Sequence, residues 1–206
     1  MTARYLALGD SYTIGEGVAA EERWPEQLVA RLRERKIDIA DPQIIAKTGW
    51  TTDELNGAID AVAQAGPFAM VTLLIGVNNQ YRGRSGDEYR REFNSLLRRA
   101  IHFAGEDARR VIVVSIPDWG VTPFATGRDR ARIAAEIDGF NGIDREEARA
   151  LNSRYADVTA MSRRGASMVT GDGLHPSAGM YAQWTAAILP EAMAILSSGT
   201  GSTDVC

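Results

Sequence analysis

Cysteine and histidine are scarce in this chain, and their scarcity excludes disulfide bonding and the usual kinds of zinc site. The 206 residues include one cysteine, Cys206, and two histidines, His102 and His175. One cysteine cannot form an intrachain disulfide, and a thiol at the last position has nothing packed around it to make it a nucleophile. These residues also cannot build a usual zinc site. We therefore expect no metal and no other cofactor.

A strong excess of either charge is lacking, and so are long hydrophobic runs. Lysine and arginine number 23 against 27 acidic residues, which gives a formal net charge of −4. This balance creates no field that would gather nucleic acid or anionic lipid, so no nucleic-acid partner is expected. The longest apolar stretches fall well short of the roughly 18 residues of a membrane span, and the N-terminus lacks the basic segment and apolar core of a signal peptide. The sequence thus favours a cytoplasmic protein without a membrane span.

The chain instead contains short apolar runs that alternate with helical patterns. Strands are predicted at 4–8, 43–47, 68–76, 110–116 and 157–161. Helices are predicted at 24–36, 51–66, 86–105 and 142–156, and again from near Pro176 onward, with a kink at Pro190. A long loop is predicted at 117–141, with a helical patch around 128–137.

This alternation predicts an α/β protein with a parallel sheet between helical layers, because the strands are apolar on both faces. No linker or internal repeat interrupts it, so we expect one domain over 1–196 and a polar tail at 197–206. In such sheets ligands bind beyond the carboxyl ends of the strands. The residues that follow the first four predicted strands are therefore candidates for a site: Gly-Asp-Ser, Lys-Thr-Gly-Trp, Gly-Val-Asn-Asn and Pro-Asp-Trp-Gly.

Ser11, in the first of these stretches, "YLALGDSYTIGEG", allows three interpretations. It could cap the helix that follows, because serine is a preferred cap residue. A phosphate-binding loop is disfavoured, because residues 9–17 contain no lysine and their glycines do not fit G-x-G-x-x-G. As a nucleophile, Ser11 would need a base, an acid that orients the base, and donors for an oxyanion.

Only one of the two histidines suits the role of base. His102 lies opposite the apolar stripe of the predicted helix 86–105 and is expected to face solvent. His175 lies in "GDGLHPS", where Asp172 three residues earlier can fold back toward one imidazole nitrogen and leave the other free. The chain order Ser, Asp, His matches one known order of serine hydrolases. A plain loop-to-helix junction is the alternative interpretation of this stretch.

Four stretches together resemble the sequence blocks of the SGNH hydrolases, also called GDSL esterases or lipases. They are "LALGDSYTIGEG", "AKTGWTTDEL", "LLIGVNNQY" and "GDGLHPS", in the family's order. The resemblance implies that Ser11 is the nucleophile, with Asp172 and His175 as its partners. It implies an oxyanion hole formed by the N–H groups of Ser11 and Gly49 and the side-chain amide of Asn78. It also implies a flavodoxin-like three-layer α/β/α sandwich with five parallel strands in the order 2-1-3-4-5.

The sequence departs from the family pattern at two positions. Tyr12 replaces the leucine of "GDSL", which should leave the nucleophile intact. Asn79 replaces the aspartate usual after Gly-x-Asn, and this removes a charge beside an oxyanion donor. The chain also lacks G-x-S-x-G, because residue 13 is threonine, so the sharp nucleophile elbow of the α/β-hydrolases is not expected.

Aromatic side chains near the strand ends are the candidates for substrate contact, and the loop 117–141 is the expected pocket wall. The alternative is that these rings only anchor the loop. The expected activity is hydrolysis of small carboxylic esters, short-chain acyl esters above all. The alternatives are deacetylation of sugars or thioester hydrolysis by the same residues, and a non-catalytic flavodoxin-like binding module. The candidate substrate-binding residues are Trp50, Asn79, Tyr81, Trp119 and Phe124.

Overall fold

A five-stranded parallel sheet forms the centre of the protein in a computed structural model that describes residues 2–62 and 67–197. The strands are β1 (Tyr5–Gly9), β2 (Gln43–Ala46), β3 (Met70–Leu74), β4 (Val111–Val114) and β5 (Arg154–Ala156). Every neighbouring pair is parallel, and the order is β2-β1-β3-β4-β5. The predicted sheet and its strand order are therefore confirmed.

Eight α-helices connect and cover these strands in the described part of the chain. They are α1 (Ser11–Ile14), α2 (Trp24–Glu34), α3 (Thr52–Val62), α4 (Val77–Tyr81), α5 (Gly86–Phe103), α6 (Arg130–Ala150), α7 (Thr159–Arg164) and α8 (Ala178–Ser197). α2 packs against α8, while α5 packs against α3 and α6. The connection from β1 to β2 runs in one direction across the sheet, and the connections from β2 to β3, β4 and β5 run in the opposite direction. Because crossovers between parallel strands are right-handed, α2 lies on one face of the sheet and α3, α5 and α6 lie on the other. The result is the predicted three-layer α/β/α sandwich.

The position of each strand in the sheet follows from its composition. All residues of β1, β3 and β4 are buried, as their doubly apolar patterns require. The edge strands β2 and β5 are only partly buried and are short. In the described ranges, no helix is both long and apolar enough to cross a membrane.

Two predicted elements after β4 have the wrong bounds, while the helical patch around 128–137 is confirmed. The loop 117–141 ends at Asp129, whose side chain accepts a hydrogen bond from the Arg132 N–H and caps α6. α6 contains both the helical patch and most of the predicted helix 142–156. Its glycines weaken the helical pattern, but Ile133 and Ile137 are buried and hold α6 against the core.

The last strand and the last helix also differ from expectation. β5 pairs with β4 three residues before the predicted strand 157–161, and α7 occupies the second half of that range. α8 begins at Ala178 and continues through Pro190, so this proline does not divide the helix; a kink there stays a prediction. The predicted helix end at Gly66, Cys206 and the tail beyond Ser197 lie outside the described residues.

Candidate active site

Ser11 is the first residue of the short helix that follows β1. Asp10 is the cap of this helix, because its Oδ1 accepts a hydrogen bond from the Tyr12 N–H at 3.0 Å. The interpretation of Ser11 as the cap is therefore wrong. A Cβ on Gly9 would lie 2.1 Å from Thr13 Oγ1 and 2.6 Å from the Leu74 carbonyl oxygen. Only glycine allows the helix to turn this closely over the strand end, and this turn fixes the position of Ser11.

A cleft of about 600 Å³, open to solvent, lies beyond the carboxyl ends of β1, β2 and β3. Four of the residues expected to carry the chemistry line it together, although they are far apart in sequence: Ser11, Gly49, Asn78 and His175. The other lining residues are Tyr12, Thr48, Val77, Tyr81, Trp119, Phe124 and Leu174.

The cleft contains hydrogen-bond donors with spare capacity. Gly49 has φ +85°, a left-handed conformation that favours glycine. Within the described chain, the N–H groups of Ser11 and Gly49 have no hydrogen-bond acceptor. The Asn78 amide donates one N–H to the Trp50 carbonyl at 2.9 Å, which holds the side chain and leaves its second N–H available. These three groups are the donors that the sequence resemblance implies.

Asp172 and His175 form a closely joined pair. Asp172 Oδ2 lies 2.6 Å from His175 Nδ1. Asp172 Oδ1 accepts hydrogen bonds from Thr170 Oγ1 and from the N–H groups of Leu174 and His175. Partial burial works to raise the pKa of the Asp172 carboxyl, but the hydrogen bonds from His175, Leu174 and Thr170 together lower it. The carboxylate thus accepts the Nδ1–H of the imidazole and leaves Nε2 free to take a proton.

The Ser11 hydroxyl makes no hydrogen bond to any residue that the structure describes. Ser11 and His175 nevertheless line the same cleft, and both are largely buried. Catalytic hydrogen bonds often tighten only when a substrate is bound. His102 does not line the cleft; it is exposed, as the helical pattern predicts, and it pairs with Glu106 in the turn that follows α5.

Asp10 is a buried carboxyl beside the nucleophile that the sequence did not single out. It is completely buried, and its Oδ2 has no hydrogen-bond partner in the described ranges. Burial raises the pKa of this carboxyl to about 7, while the hydrogen bond from the Tyr12 N–H acts to lower it. Its position directly after an apolar strand is the only sequence signal that could have indicated this burial.

Two of the expected substrate-binding residues do not line the cleft. The Asn79 side chain is completely buried, and its Oδ1 accepts a hydrogen bond from the Thr52 N–H at the start of α3. Its Nδ2 donates to Thr52 Oγ1 at 2.6 Å. Asn79 therefore completes the N-terminus of α3 and does not contact substrate. Trp50 contributes its carbonyl to the Asn78 amide, and its side chain is packed against the core.

The other three candidates form an aromatic group at the opening of the cleft. The rings of Tyr81 and Trp119 lie 5.4 Å apart, and those of Trp119 and Phe124 lie 6.0 Å apart, both edge to face. The Phe124 N–H donates to the Gly173 carbonyl at 2.9 Å, which ties this group to the loop that carries His175. The expectation that Tyr81, Trp119 and Phe124 lie at a pocket wall agrees with the structure. Their contact with substrate stays a prediction.

Comparison with solved structures shows the same fold in enzymes of similar length. The crystal structure of TesA is 19% identical and covers 94% of this chain and 99% of its own, with a TM-score of 0.74. The lipase/acylhydrolase from Enterococcus faecalis is 20% identical, with coverage of 95% and 97% and a TM-score of 0.71. Axe2, an acetylxylan esterase from Geobacillus stearothermophilus, is 18% identical, with coverage of 92% and 94% and a TM-score of 0.69.

Comparison with known protein families shows which family the chain belongs to. None of the curated proteins matches it. The GDSL-like lipase/acylhydrolase family matches residues 7–183, which include the whole of the cleft and all four sequence blocks except the first residue of the first block. The chain therefore belongs to the GDSL-like lipase/acylhydrolase family and is a hydrolase that acts on ester bonds.

Proposed function

We propose that the protein hydrolyses small carboxylic esters, short-chain acyl esters above all, through an acyl-enzyme formed on Ser11. The observation that carries this proposal is the convergence of Ser11, Gly49, Asn78 and His175 on one cleft. The cleft thus combines a hydroxyl, a base with an orienting carboxylate, and unoccupied donors. These are the parts that acyl transfer to water requires.

The first half of the reaction forms the acyl-enzyme. His175 Nε2 removes the proton of the Ser11 hydroxyl while Oγ attacks the ester carbonyl carbon. The carbonyl oxygen becomes an oxyanion in the tetrahedral intermediate. When the carbon–oxygen bond to the alcohol breaks, the imidazolium gives its proton to the leaving oxygen and the alcohol departs. Asp172 holds the imidazole in the required tautomer and stabilises the imidazolium.

The second half returns the enzyme to its starting state. His175 removes a proton from a water molecule, whose oxygen attacks the acyl carbon. The Ser11–acyl bond then breaks, and Ser11 Oγ recovers the proton from the imidazolium. In both halves the N–H groups of Ser11 and Gly49 and the Asn78 amide donate to the oxyanion. Such preorganised donors act most strongly where charge develops in the transition state.

Two related substrate classes use the same chemistry and must be tested beside simple esters. Acetylated sugars are suggested by the likeness in fold to Axe2, an acetylxylan esterase. Acyl thioesters need only a different leaving group at the same carbonyl. Simple esters are the expected substrates because the cleft is small and is lined by apolar rings along one side.

The test combines a covalent probe with a substrate panel. A fluorophosphonate should label the wild-type protein at Ser11, and p-nitrophenyl esters of short acyl chains should be hydrolysed faster than acetylated sugars or acyl thioesters. Ser11→Ala should abolish labelling and lower kcat by more than about 10³-fold, with an unchanged circular dichroism spectrum. Ser153→Ala is the matched control, because the Ser153 hydroxyl is buried and unpartnered among the described residues and does not line the cleft.

The outcomes separate an enzyme from a binding module. A folded wild-type protein that is neither labelled nor active on any member of the panel would be a non-catalytic module with this fold. Substantial activity in a folded Ser11→Ala variant would place the nucleophile elsewhere. Faster turnover of acetylated sugars or thioesters would keep the mechanism and replace the substrate class.

A further inference from the structure

Arg128 lies at the opening of the cleft with its guanidinium over three aromatic rings. Its Cζ is 5.3 Å from the ring centroid of each of Tyr81, Trp119 and Phe124. Its Nη2 also donates to the Tyr81 hydroxyl at 3.2 Å. All three rings line the cleft, so the cation lies where a substrate must enter. We call Arg128 and these three rings the arginine cage.

Two of the three rings of the arginine cage are exposed to an unusual degree for aromatic side chains, while Trp119 is buried beneath them. Tyr81 is 49% exposed and Phe124 is 40% exposed. In the described ranges they are the two large hydrophobic side chains that are strongly exposed, and both lie at this opening. Exposed apolar surface concentrated at one place commonly marks a binding site.

Within the described ranges, no carboxylate neutralises the positive charge of Arg128, since no acidic oxygen lies within 4 Å of its guanidinium. By contrast, Arg132 binds Glu136 at 2.7 Å and Arg163 binds Asp118 at 2.8 Å. The adjacent acid, Asp129, caps α6 through the Arg132 N–H instead. Arg128 is thus a free cation at the entrance of the site.

The stacked position orients the guanidinium without using most of its donors. Cation–π attraction holds the group over the rings, and a guanidinium has five N–H donors in a rigid plane. One of these donors is used in the hydrogen bond to the Tyr81 hydroxyl. The remaining donors can bind a carboxylate or a phosphate through two parallel hydrogen bonds. A cation in the cage also opposes a second positive charge at the same place.

We propose that Arg128 selects esters that carry an anionic group, a carboxylate or a phosphate, which its guanidinium binds while the ester carbonyl lies at Ser11. This inference rests on the proposed function and narrows its substrate class. The arginine cage also makes esters with a quaternary ammonium group poor substrates, because the aromatic rings that would hold such a group already hold Arg128. The expected order of preference is anionic, then neutral, then cationic.

A series of matched substrates tests this order. Phenyl acetates with a meta carboxylate, carboxamide, phosphate or trimethylammonium group vary the charge on the alcohol part. Mono-p-nitrophenyl glutarate and p-nitrophenyl valerate vary it on the acyl part. The measured quantity is the ratio of kcat/KM for the charged ester to that for its neutral counterpart. Comparing each variant with the wild type cancels differences in leaving-group reactivity, and the carboxylate and phosphate arms identify the preferred anion.

Arg128→Gln removes the charge and keeps a polar, though shorter, side chain. The anionic-to-neutral ratio should fall about 10- to 100-fold, as expected for one hydrogen-bonded ion pair. The cationic-to-neutral ratio should rise. Arg98→Gln is the matched control, since Arg98 is exposed on α5 and bonds only to Asn94, and it should leave every ratio unchanged.

Two results would overturn the proposal. One is a wild-type protein that shows no preference for the anion in either substrate pair. The other is an Arg128→Gln variant that keeps the wild-type ratios, including a variant that loses activity equally on all substrates. If the variant does not fold, the wild-type ratio decides, since it must fall as salt is raised from low to high concentration. Failure of the proposed function is distinct, because no substrate would then be hydrolysed and Ser11 would not be labelled.

Discussion

The two sides of the cleft are built from different kinds of structure. The catalytic side, formed by Ser11, Gly49, Asn78 and His175, contains small or largely buried side chains in loops or at the starts of short helices. The aromatic side, formed by Tyr81, Trp119 and Phe124, contains large rings that contact one another edge to face, and two of them, Tyr81 and Phe124, are exposed. The first three catalytic-side residues lie a few residues beyond the ends of β1, β2 and β3.

Backbone geometry fixes the catalytic side. Gly76, which precedes α4 and Asn78, has φ +126°, and a Cβ there would lie 2.4 Å from the Tyr89 hydroxyl. Tyr89 in turn donates to the Ile75 carbonyl and contacts the buried Asp144. Side-chain contacts fix the aromatic side, where the Trp119 Nε1–H donates to Gln80 at 2.8 Å. Substitutions on the catalytic side should therefore lower kcat, and substitutions on the aromatic side should change KM and selectivity.

The largest effect is expected at Asp172. Asp172→Asn removes the carboxylate that accepts the His175 Nδ1–H, so the imidazole loses its orienting charge and its preferred tautomer. We expect kcat to fall about 10³- to 10⁴-fold, as measured for this change in serine proteases. Rates with a p-nitrophenyl ester check it. Asp107→Asn is the control, because the hydrogen bond from Arg109 likewise lowers the pKa of Asp107, away from the cleft. A loss below tenfold in Asp172→Asn would contradict the role of this pair.

The next effect is expected at Asp10, beside Ser11, and concerns the free energy of unfolding. Folding raises the pKa of Asp10 from an ordinary value of 3.8 to about 7, so the folded chain binds this proton more tightly than the unfolded chain. Its contribution to stability is therefore lost as pH rises from about 4 to about 7, a change of about 4 kcal/mol. Asp10→Asn does not titrate and still caps Tyr12. Its unfolding free energy should equal that of the wild type near pH 4 and exceed it by about 4 kcal/mol at pH 8.

Urea denaturation at several pH values measures this difference. Asp107→Asn is again the comparison, because the lowered pKa of Asp107 predicts the opposite slope. A difference between Asp10→Asn and wild type that stays constant from pH 4 to pH 8 would show that Asp10 is not protonated in the folded protein near neutrality.

A smaller effect is expected at Asn78, the side-chain donor of the proposed oxyanion hole. Asn78→Ala should lower kcat by about 10²- to 10³-fold, the range for losing one such donor, with little change in KM. Asn94→Ala is the control, because Asn94 lies on α5 and bonds to Glu147. A change in kcat below threefold would mean that Asn78 only holds the Trp50 carbonyl.

The smallest effect should follow a change on the aromatic side. Phe124→Ala removes one exposed ring and its edge-to-face contact with Trp119. We expect KM for aryl and longer acyl esters to rise about threefold to tenfold, with a smaller change in kcat, because the ring binds ground state and transition state alike. A drop in kcat at constant KM would contradict the division between the two sides. Initial-rate kinetics over a range of substrate concentrations separate the two results.

The sequence predicts well what depends on local spacing or on a strongly apolar strand. The Asp172–His175 spacing closes into the hydrogen-bonded pair, and the alternation of apolar strands and helices gives the parallel sheet, while the order of its strands comes from the family resemblance. It predicts less well what depends on contacts between distant elements. Asn79, on α4, binds the start of α3 because Thr52 lies beside it in space, and Arg128 contacts rings from two separate segments. Neither contact leaves a periodic pattern in the chain.

The hydrogen bond from the Phe124 N–H to the Gly173 carbonyl joins the aromatic side to the loop of the base. Gly173 has φ +72°, and a Cβ there would lie 3.3 Å from Pro123, so the two segments are also in close steric contact. His175 is two residues further along the same loop. The backbone at Phe124 therefore cannot move outward by itself: either this bond breaks or the loop that carries His175 moves with it. The position of this wall of the cleft is thus coupled to the position of the base.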